Sequence, residues 1–456
     1  MMTRLAMDRY IKEHQDYFIQ ELFALLRQES FSAQNKGIRK CAEQLSRKMS
    51  NIGIQTQLFE TEGHPIVYGE LCPHAAAPTM LVYGHYDVTD VGDLAQWISP
   101  PFEPEIRDGR IYARGAGDNK GQLMAQLLAV ETYLAVHGEM PINMKFIFEG
   151  EEEATSNHLH PFVETNRDRL ACDFVYTSDG PMHDSGAPLV LLGVRGNVYV
   201  ELTARGAKWD NHSGNKGNIV PNPAWRLLHL LQTMRDEQGR VLIEGFYDPI
   251  RQPTQTELEL IRSLPFDRES VAEQTGYPDI AMDGETYYRK LTMEPTFNIC
   301  GLRSGYGGEG AKTIIPAEAM AKLDMRLVVD QEPMDIFHKL CRHVNKVDPA
   351  IEVQLLGTAK PTRTSADLDA VRWITAAVAE AYEREPILQP SLGGSLPDYI
   401  WTEILGVPSI IVPYANADEA NHAPNENISI DCFMSGIRCT AFLIEKLRME
   451  SSRLAT

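Results

Sequence analysis

No stretch of this 456-residue chain approaches the roughly 18 uninterrupted apolar residues of a membrane span. Met1 to Phe18 is charged and lacks the apolar core of a secretory signal, so a cytoplasmic protein is expected. The Cys-x-x-Cys spacing of zinc ribbons and redox motifs is absent. The seven cysteines (Cys41, Cys72, Cys172, Cys300, Cys341, Cys432, Cys439) are scattered, as reduced thiols serving as small buried hydrophobes would be. Positive charge is also short: 43 Lys and Arg stand against 63 Asp and Glu, a net −20. With no basic stripe, that balance argues against a nucleic-acid or anionic-membrane partner. The phosphate-loop spacing GxxxxGK[ST] is missing as well, and no internal repeat or low-complexity tract is seen.

The 43% hydrophobic and 23% charged content is that of an ordinary globular protein, at a length that exceeds one core. Residues 1–195 alternate helix-like and buried strand-like segments. Leu123, Leu127, Val130 and Leu134 recur at helical spacing, which predicts one amphipathic helix with a single buried stripe. Such alternation implies an α/β domain with a largely parallel sheet covered on both faces. The pattern changes over residues 196–362. Asn197–Ala204, Pro223–Met234, Thr296–Leu302, Ala319–Val329, Met334–Val347 and Ile351–Leu356 read as β-α-β-β-α-β, a ferredoxin-like sandwich. Its strands are expected to alternate, and the polar stretch from Asp236 to Tyr288 reads as an insertion with local helices. Residues 363–456 return to the first style, so the ferredoxin-like unit is inserted into the larger domain.

Five potential ligands follow or end five strand-like runs. Thr79–Gly84 leads to His85, Ile111–Gly117 to Asp118, Ile142–Phe148 to Glu153, Phe174–Ser178 to Asp179, and Ile410–Pro413 to His422. Ligands of open α/β sheets bind beyond the carboxyl ends of the strands, where separate strand ends converge. Two imidazoles and three carboxylates suit Zn²⁺, Mn²⁺ or Co²⁺. With one carboxylate bridging, they can hold two ions about 3.5–4 Å apart, as two-metal hydrolases do.

Local spacing adds detail. His85 and Asp87 share a face of an extended segment, so Asp87 can accept the other ring N–H of His85. Gly115, Gly117 and Asp118 form a glycine-punctuated turn in which Asp118 could also cap the following helix. Glu149, Glu151, Glu152 and Glu153 crowd one turn, which is costly without bound cations. Neighbouring Glu152 and Glu153 allow one to ligate and the other to act as general base.

These residues resemble the M20-family metallopeptidases, and most of all their carnosine-dipeptidase-like branch. The resemblance runs in order along nearly the whole chain. It comprises GHYDV at Gly84–Val88, Trp97 with PPFEP, DGRIYARGAGDNKGQ ending at Gln122, and EGEEEATS at Glu149–Ser156. SDG at Ser178–Gly180, GVRG at Gly193–Gly196 and HSG at His212–Gly214 follow. Last come GAKTIIPAEAMAKLDMRLV at Gly310–Val328, GGSLPD at Gly393–Asp398 and HAPNE at His422–Glu426.

The resemblance implies a catalytic domain with an inserted lid/dimerisation domain, two divalent ions, and a homodimer. It implies that Asp118 bridges the ions, His85 and Asp179 complete one shell, and Glu153 and His422 the other. By the same resemblance Glu152 is the general base, Asp87 orients His85, and the Asp118–Asn119 peptide is cis. Arg326, Gly394 and Ser395 are implied to hold a substrate carboxylate, and His212 to reach across a dimer to polarise the scissile carbonyl. Thr155 stands where the family usually has glycine, so a different local turn is expected there. The expected activity is hydrolysis of the amide bond of a dipeptide or small peptide, releasing an amino acid with a free carboxylate. An N-acyl or N-carbamoyl amino acid is the alternative substrate. A non-catalytic metal-binding scaffold has no use for Glu152.

Overall fold

The computed structural model describes residues 2–454. Seventeen strands are found among them. They are β1 (Gln55–Phe59), β2 (Ile66–Leu71), β3 (Thr79–His85), β4 (Glu105–Arg107), β5 (Arg110–Tyr112), β6 (Asn143–Glu149), β7 (Phe174–Thr177) and β8 (Leu189–Leu191). Then follow β9 (Gly196–Arg205), β10 (Asn211–His212), β11 (Asn298–Ser304), β12 (Ile314–Ile315), β13 (Glu318–Leu327) and β14 (Ile351–Ala359). The last three are β15 (Ile387–Gln389), β16 (Ser409–Ile411) and β17 (Asn427–Ser429).

Eight strands build the central sheet in the order β1-β2-β6-β3-β7-β16-β8-β15. The middle four, β6, β3, β7 and β16, run parallel, so their carboxyl ends open on one edge of the sheet. Antiparallel β1 and β2 flank them on one side, and β8 pairs antiparallel with β16 on the other. Strand alternation divides the core. Met80 and Val82 of β3 pack into one apolar cluster, and Leu81 and Tyr83 into the other.

The helix Lys120–His137 is buried on nearly every side over Lys120–Val130 instead of along one stripe. It is wedged between the sheet and the helices Met2–Glu13, Gln15–Leu26 and Ile430–Leu454. A helix covered all round cannot show the two-faced pattern read from Leu123, Leu127, Val130 and Leu134.

One expected strand is largely missing. Of the Ile111–Gly117 run only Ile111 and Tyr112 are extended, within β5 of a small antiparallel sheet, β17-β5-β4. The rest is a loop because Gly115 is left-handed (φ +87°) and the Gly115, Gly117 and Asp118 amides turn toward the Glu426 carboxylate. Asp118 does not cap the helix either. Asn119 occupies the capping position, and no side-chain capping bond is made there.

The second sheet has the order β11-β13-β9-β14, antiparallel throughout, with the helices Pro223–Met234 and Pro333–Val347 packed on it over a separate core. This is the ferredoxin-like arrangement. β9 and β13 alternate, turning Val198, Val200, Leu323 and Met325 inward. β11 does not: as an edge strand it leaves Ile299 and Leu302 exposed at 51% and 54%. The polar stretch carries the helices Gln255–Ser263, Arg268–Thr275 and Gly284–Thr292. All seven cysteines are free, and no helix of the described residues is long and apolar enough to cross a membrane.

Helix Gln255–Ser263 is tied to the segment following β14 by buried charge. Glu257 accepts from Arg251 at 2.8 and 2.9 Å and from Arg363 Nη1 at 2.9 Å. Burial opposes ionisation of Glu257, but the two guanidiniums outweigh it and hold the carboxyl down at about 2. A depressed carboxyl stabilises the fold above its ordinary pKa and loses that contribution as pH falls toward the folded value. Glu257→Ala is therefore expected to cost about 3 kcal/mol near neutrality, because it leaves buried arginine charge unpaired. Denaturant unfolding of both proteins checks this, and the gap between them should narrow as pH falls from about 5 toward about 2.

Candidate metal centre

The parallel strands deliver the site. β3 ends at His85, β6 leads into Glu152 and Glu153, and β7 leads into Asp179. Asp118 arrives from the glycine turn, and His422 from the loop between β16 and β17. That loop holds three non-glycine residues in the left-handed region: Ala420, His422 and Asn425. Such conformations cost about 1 kcal/mol or more each and need anchoring. The anchors are Asn425, which bonds Ile98 N–H and the Gln96 carbonyl, and Glu426 behind it.

Two donor groups share one carboxylate. His85, Asp118 and Asp179 form the first, and Asp118, Glu153 and His422 the second. Asp118 Oδ1 lies 3.0 Å from His85 Nε2, while its Oδ2 lies 3.1 Å from His422 Nε2. His85 Nε2 is 3.8 Å from Asp179 Oδ2, and His422 Nε2 is 3.1 Å from Glu153 Oε2. The first group is buried, whereas the His422 side chain is 56% exposed.

A layer of hydrogen bonds fixes these donors. His85 Nδ1 faces Asp87, 3.3 Å from its carboxylate and 3.2 Å from its carbonyl. The Asp87 carboxylate also accepts the Glu152 and Glu153 N–H groups at 3.2 and 3.1 Å, so one buried acid orients both the imidazole and the glutamate turn. Asn119 donates to the Ser178 carbonyl at 2.6 Å, and Gln122 to Gly117 and Gly180. The Asp118–Asn119 peptide is cis, as expected. Thr155 is left-handed at φ +80°, so the turn keeps the conformation glycine adopts most easily, despite the threonine.

The electrostatics describe a set of donors in need of cations. Burial opposes protonation of His85, but hydrogen bonds to Asp118 and Asp87 raise it well above its usual value. Hydrogen bonds to Asp118 and Glu153 raise His422 to about 10. Burial, then the Asp118 charge, push the Asp179 carboxyl up to about 7. Burial also drives Glu152 well above the carboxylate range, with Asp179 and Asp118 adding to it against the pull of His85. Two imidazoles and three carboxylates, one of them shared between the groups, fit two divalent ions, whose charge would reverse these shifts.

Two acids that the sequence reading left without a role complete the surroundings. Glu426 is fully buried against Arg114 at 2.7 Å and accepts the Gly115, Gly117 and Asp118 amides, each at 3.0 Å. Glu149, pushed up to about 8 by burial, accepts the Tyr83 and Ser156 hydroxyls. Their signals were present in ARGAGD, HAPNE and EGEEE, but nothing there says that Arg114 and Glu426 meet.

The expected carboxylate-binding residues gather in a second cluster. Arg326 Nη1 donates to Ser395 Oγ at 3.0 Å, and Gly394 precedes that serine in the loop. A cavity of about 650 Å³ has Glu152 and Ser395 in its lining, together with Asn197, Thr358 and Tyr399. A second cavity of about 500 Å³ begins at Asp179 and is walled by Met182, Phe266, Tyr287, Leu291 and Leu392. His212 belongs to neither cluster. It is exposed on β10, with hydrogen-bond partners Gly214 and Thr313.

The sequence profile of peptidase family M20/M25/M40 matches residues 81–446. The chain belongs to this family. It is 27% identical to the Beta-Ala-His dipeptidase of Rattus norvegicus, over 98% of this chain and 96% of that protein. It is also 27% identical to the Cys-Gly metallodipeptidase of Schizosaccharomyces pombe, over 84% and 83% of the two chains. Among solved structures, an M20 family metallo-carboxypeptidase from Sulfolobus solfataricus matches with a TM-score of 0.88 and 36% identity, covering 95% of this chain and 99% of that one. Human carnosine dipeptidase 1 matches with a TM-score of 0.79 and 26% identity, covering 98% and 99%. This M20 chain is thus a hydrolytic metallopeptidase with a catalytic domain and a lid domain.

Two outcomes are expected of the M20 centre. Because Asp179 and both histidines must lose protons to ligate, metal uptake should release protons, weaken as pH falls through about 10, where His422 takes its proton, and weaken more steeply below about 7, where Asp179 does. Calorimetry in buffers of different ionisation enthalpy reads that release. Glu426→Ala should cost about 3–5 kcal/mol, since it strands the Arg114 charge, and should weaken zinc uptake in equilibrium dialysis by loosening the Asp118 turn.

Proposed function

We propose that this M20 chain is a cytosolic dipeptidase that hydrolyses the amide bond of a dipeptide or small peptide and releases an amino acid with a free carboxylate. We infer a homodimer with two divalent ions per chain, zinc before manganese or cobalt. The observation that carries the reading is the Asp118 carboxylate, which gives one oxygen to each donor group beside Glu152. Bound there, two ions would polarise the scissile carbonyl and acidify the attacking water.

The chain's own groups do the rest. Glu152 accepts a proton from the attacking water and returns it to the departing amine nitrogen. Asp87 keeps His85 Nδ1 engaged, so that Nε2 faces Asp118 and His85 stays fixed while charge develops. Arg326, Ser395 and the Gly394 backbone take the terminal carboxylate at the far end of the cavity shared with Glu152. The apolar cavity beginning at Asp179 receives the side chain on the amino-terminal side of the cleaved bond. His212 on the exposed β10 is free to serve the active site of a second copy, where it would donate to the carbonyl oxygen. The names of the rat and fission-yeast relatives favour dipeptides over the N-acyl or N-carbamoyl amino acids that the same chemistry would accept.

A panel of β-Ala-His, Cys-Gly and other dipeptides beside N-acetyl amino acids tests the reading. Dipeptides should be turned over, and Glu152→Gln should lower kcat by about 10²–10⁴-fold with metal content unchanged. Turnover of acylated amino acids alone would move the function to deacylation, and an unimpaired Glu152→Gln would remove the proposed base.

A further inference from the structure

The carboxylate end of the cavity has more positive charge and more unused hydrogen-bonding capacity than Arg326 and Ser395 account for. Arg195, in the segment that enters the lid, is only 8% exposed. Its N–H donates to the Gly394 carbonyl at 3.0 Å, and its Nε donates to the Gly393 carbonyl at 2.8 Å. Its own carbonyl accepts the Ser395 hydroxyl at 2.6 Å. One residue therefore fixes three consecutive residues of the loop. Ser395 Oγ in turn accepts from Arg326, so Arg195 decides where the hydroxyl and the guanidinium meet.

Three buried side-chain atoms in this neighbourhood have no partner: Arg195 Nη1, Asn197 Oδ1 and Asp324 Oδ1. Asn197 is the cross-strand partner of Arg326 in the β9–β13 ladder. Asp324 lies two residues before Arg326 on the same strand face, its Oδ2 3.3 Å from Arg326 Nε. Buried polar atoms without partners are few in folded proteins; of these three, Arg195 Nη1 is the donor, the kind of group an incoming carboxylate completes, while Asn197 Oδ1 and Asp324 Oδ1 are acceptors. The charge balance agrees. Arg195 and Arg326 stand against Asp324, which leaves one buried positive charge uncompensated. Burial lowers the Arg195 pKa to about 10, and the Arg326 charge acts in the same direction. A single carboxylate closes that balance.

We propose that Arg195 is a positioning residue for the substrate's terminal carboxylate: it sets the Gly393–Ser395 loop against Arg326, and its charge makes the subsite select a free carboxylate over the corresponding amide. The inference rests on Arg326, Gly394 and Ser395 forming the carboxylate clamp.

The test compares the best dipeptide of the panel with its C-terminal amide, using the zinc-loaded wild-type enzyme and the Arg195→Met, Arg195→Lys and Arg326→Met variants. Arg195→Met should raise KM for the free carboxylate about 10- to 100-fold, leave kcat within a few fold, and collapse the preference over the amide. Arg195→Lys keeps the charge but not the fork of donors, so it should recover most of the preference with KM still raised. Thermal melting identifies a variant that fails to fold. If Arg195→Met does, Arg195→Lys decides, and an unchanged KM there overturns the proposal. Collapse of the preference in Arg326→Met but not in Arg195→Met also overturns it and leaves the clamp standing. No change in Arg326→Met overturns the clamp itself.

Discussion

One carboxylate must present an oxygen to each of two donor groups, and the surrounding chain is arranged to hold it so. Asp118 cannot turn: His85 stands on one side of it and His422 on the other, 3.0 and 3.1 Å away. The backbone beneath it is held by Glu426, whose carboxylate gathers the amides of Gly115, Gly117 and Asp118. Arg114 neutralises Glu426 from behind. The glycines follow from this: a side chain at Gly117 would run into Glu419, with its Cβ 2.1 Å from Oε2. A residue four after His422 and a residue four before Asp118 thus form one support.

The same concentration of acids explains why so many surrounding polar groups are engaged with one another. Asp87, Glu149, Asp179, Glu419 and Glu426 are all buried within reach of the site. Burying carboxylates together is costly unless each is paired, protonated or offset by a cation. Asp87 and Glu426 meet the cost with backbone amides, and Glu149 with hydroxyls. Glu419 has neither, and burial with the Asp118 charge drives it well above the carboxylate range. Asp118, Asp179 and Glu153 face the two histidines.

Much of this was legible in the sequence, because strand ends and ligand spacing are local properties. His85, Glu153 and Asp179 stand close to the ends of buried runs, and the ferredoxin-like order followed from alternation in β9 and β13. What escaped the sequence depends on neighbours far along the chain. The Lys120–His137 helix reads as having one buried stripe, but the sheet and three other helices cover it on nearly every side. The Ile111–Gly117 run reads as a strand, but Glu426, more than 300 residues away, draws its amides into a turn. β11 has strand-forming residues yet sits on an edge, so its apolar side chains stay in solvent. Arg195 lies in the recognisable GVRG stretch, but its importance comes from meeting Gly393, Gly394 and Ser395.

The two crossings between the domains lie side by side. Asn197 at the start of β9 pairs with Ala359 at the end of β14, and Thr362 N–H bonds the Val194 carbonyl. The entropy of closing a chain rises with the length of the loop. To an unfolded chain, bringing residues 1–195 and 363–456 together means closing a loop of roughly 170 residues. Once the lid has collapsed on its own core, its ends are neighbours and that loop is reduced to a few residues. The register of one strand pair thus keeps the entropy of joining the two segments low: with the inserted unit folded, His422 and Glu426 reach the acids encoded three hundred residues earlier by closing only a short loop.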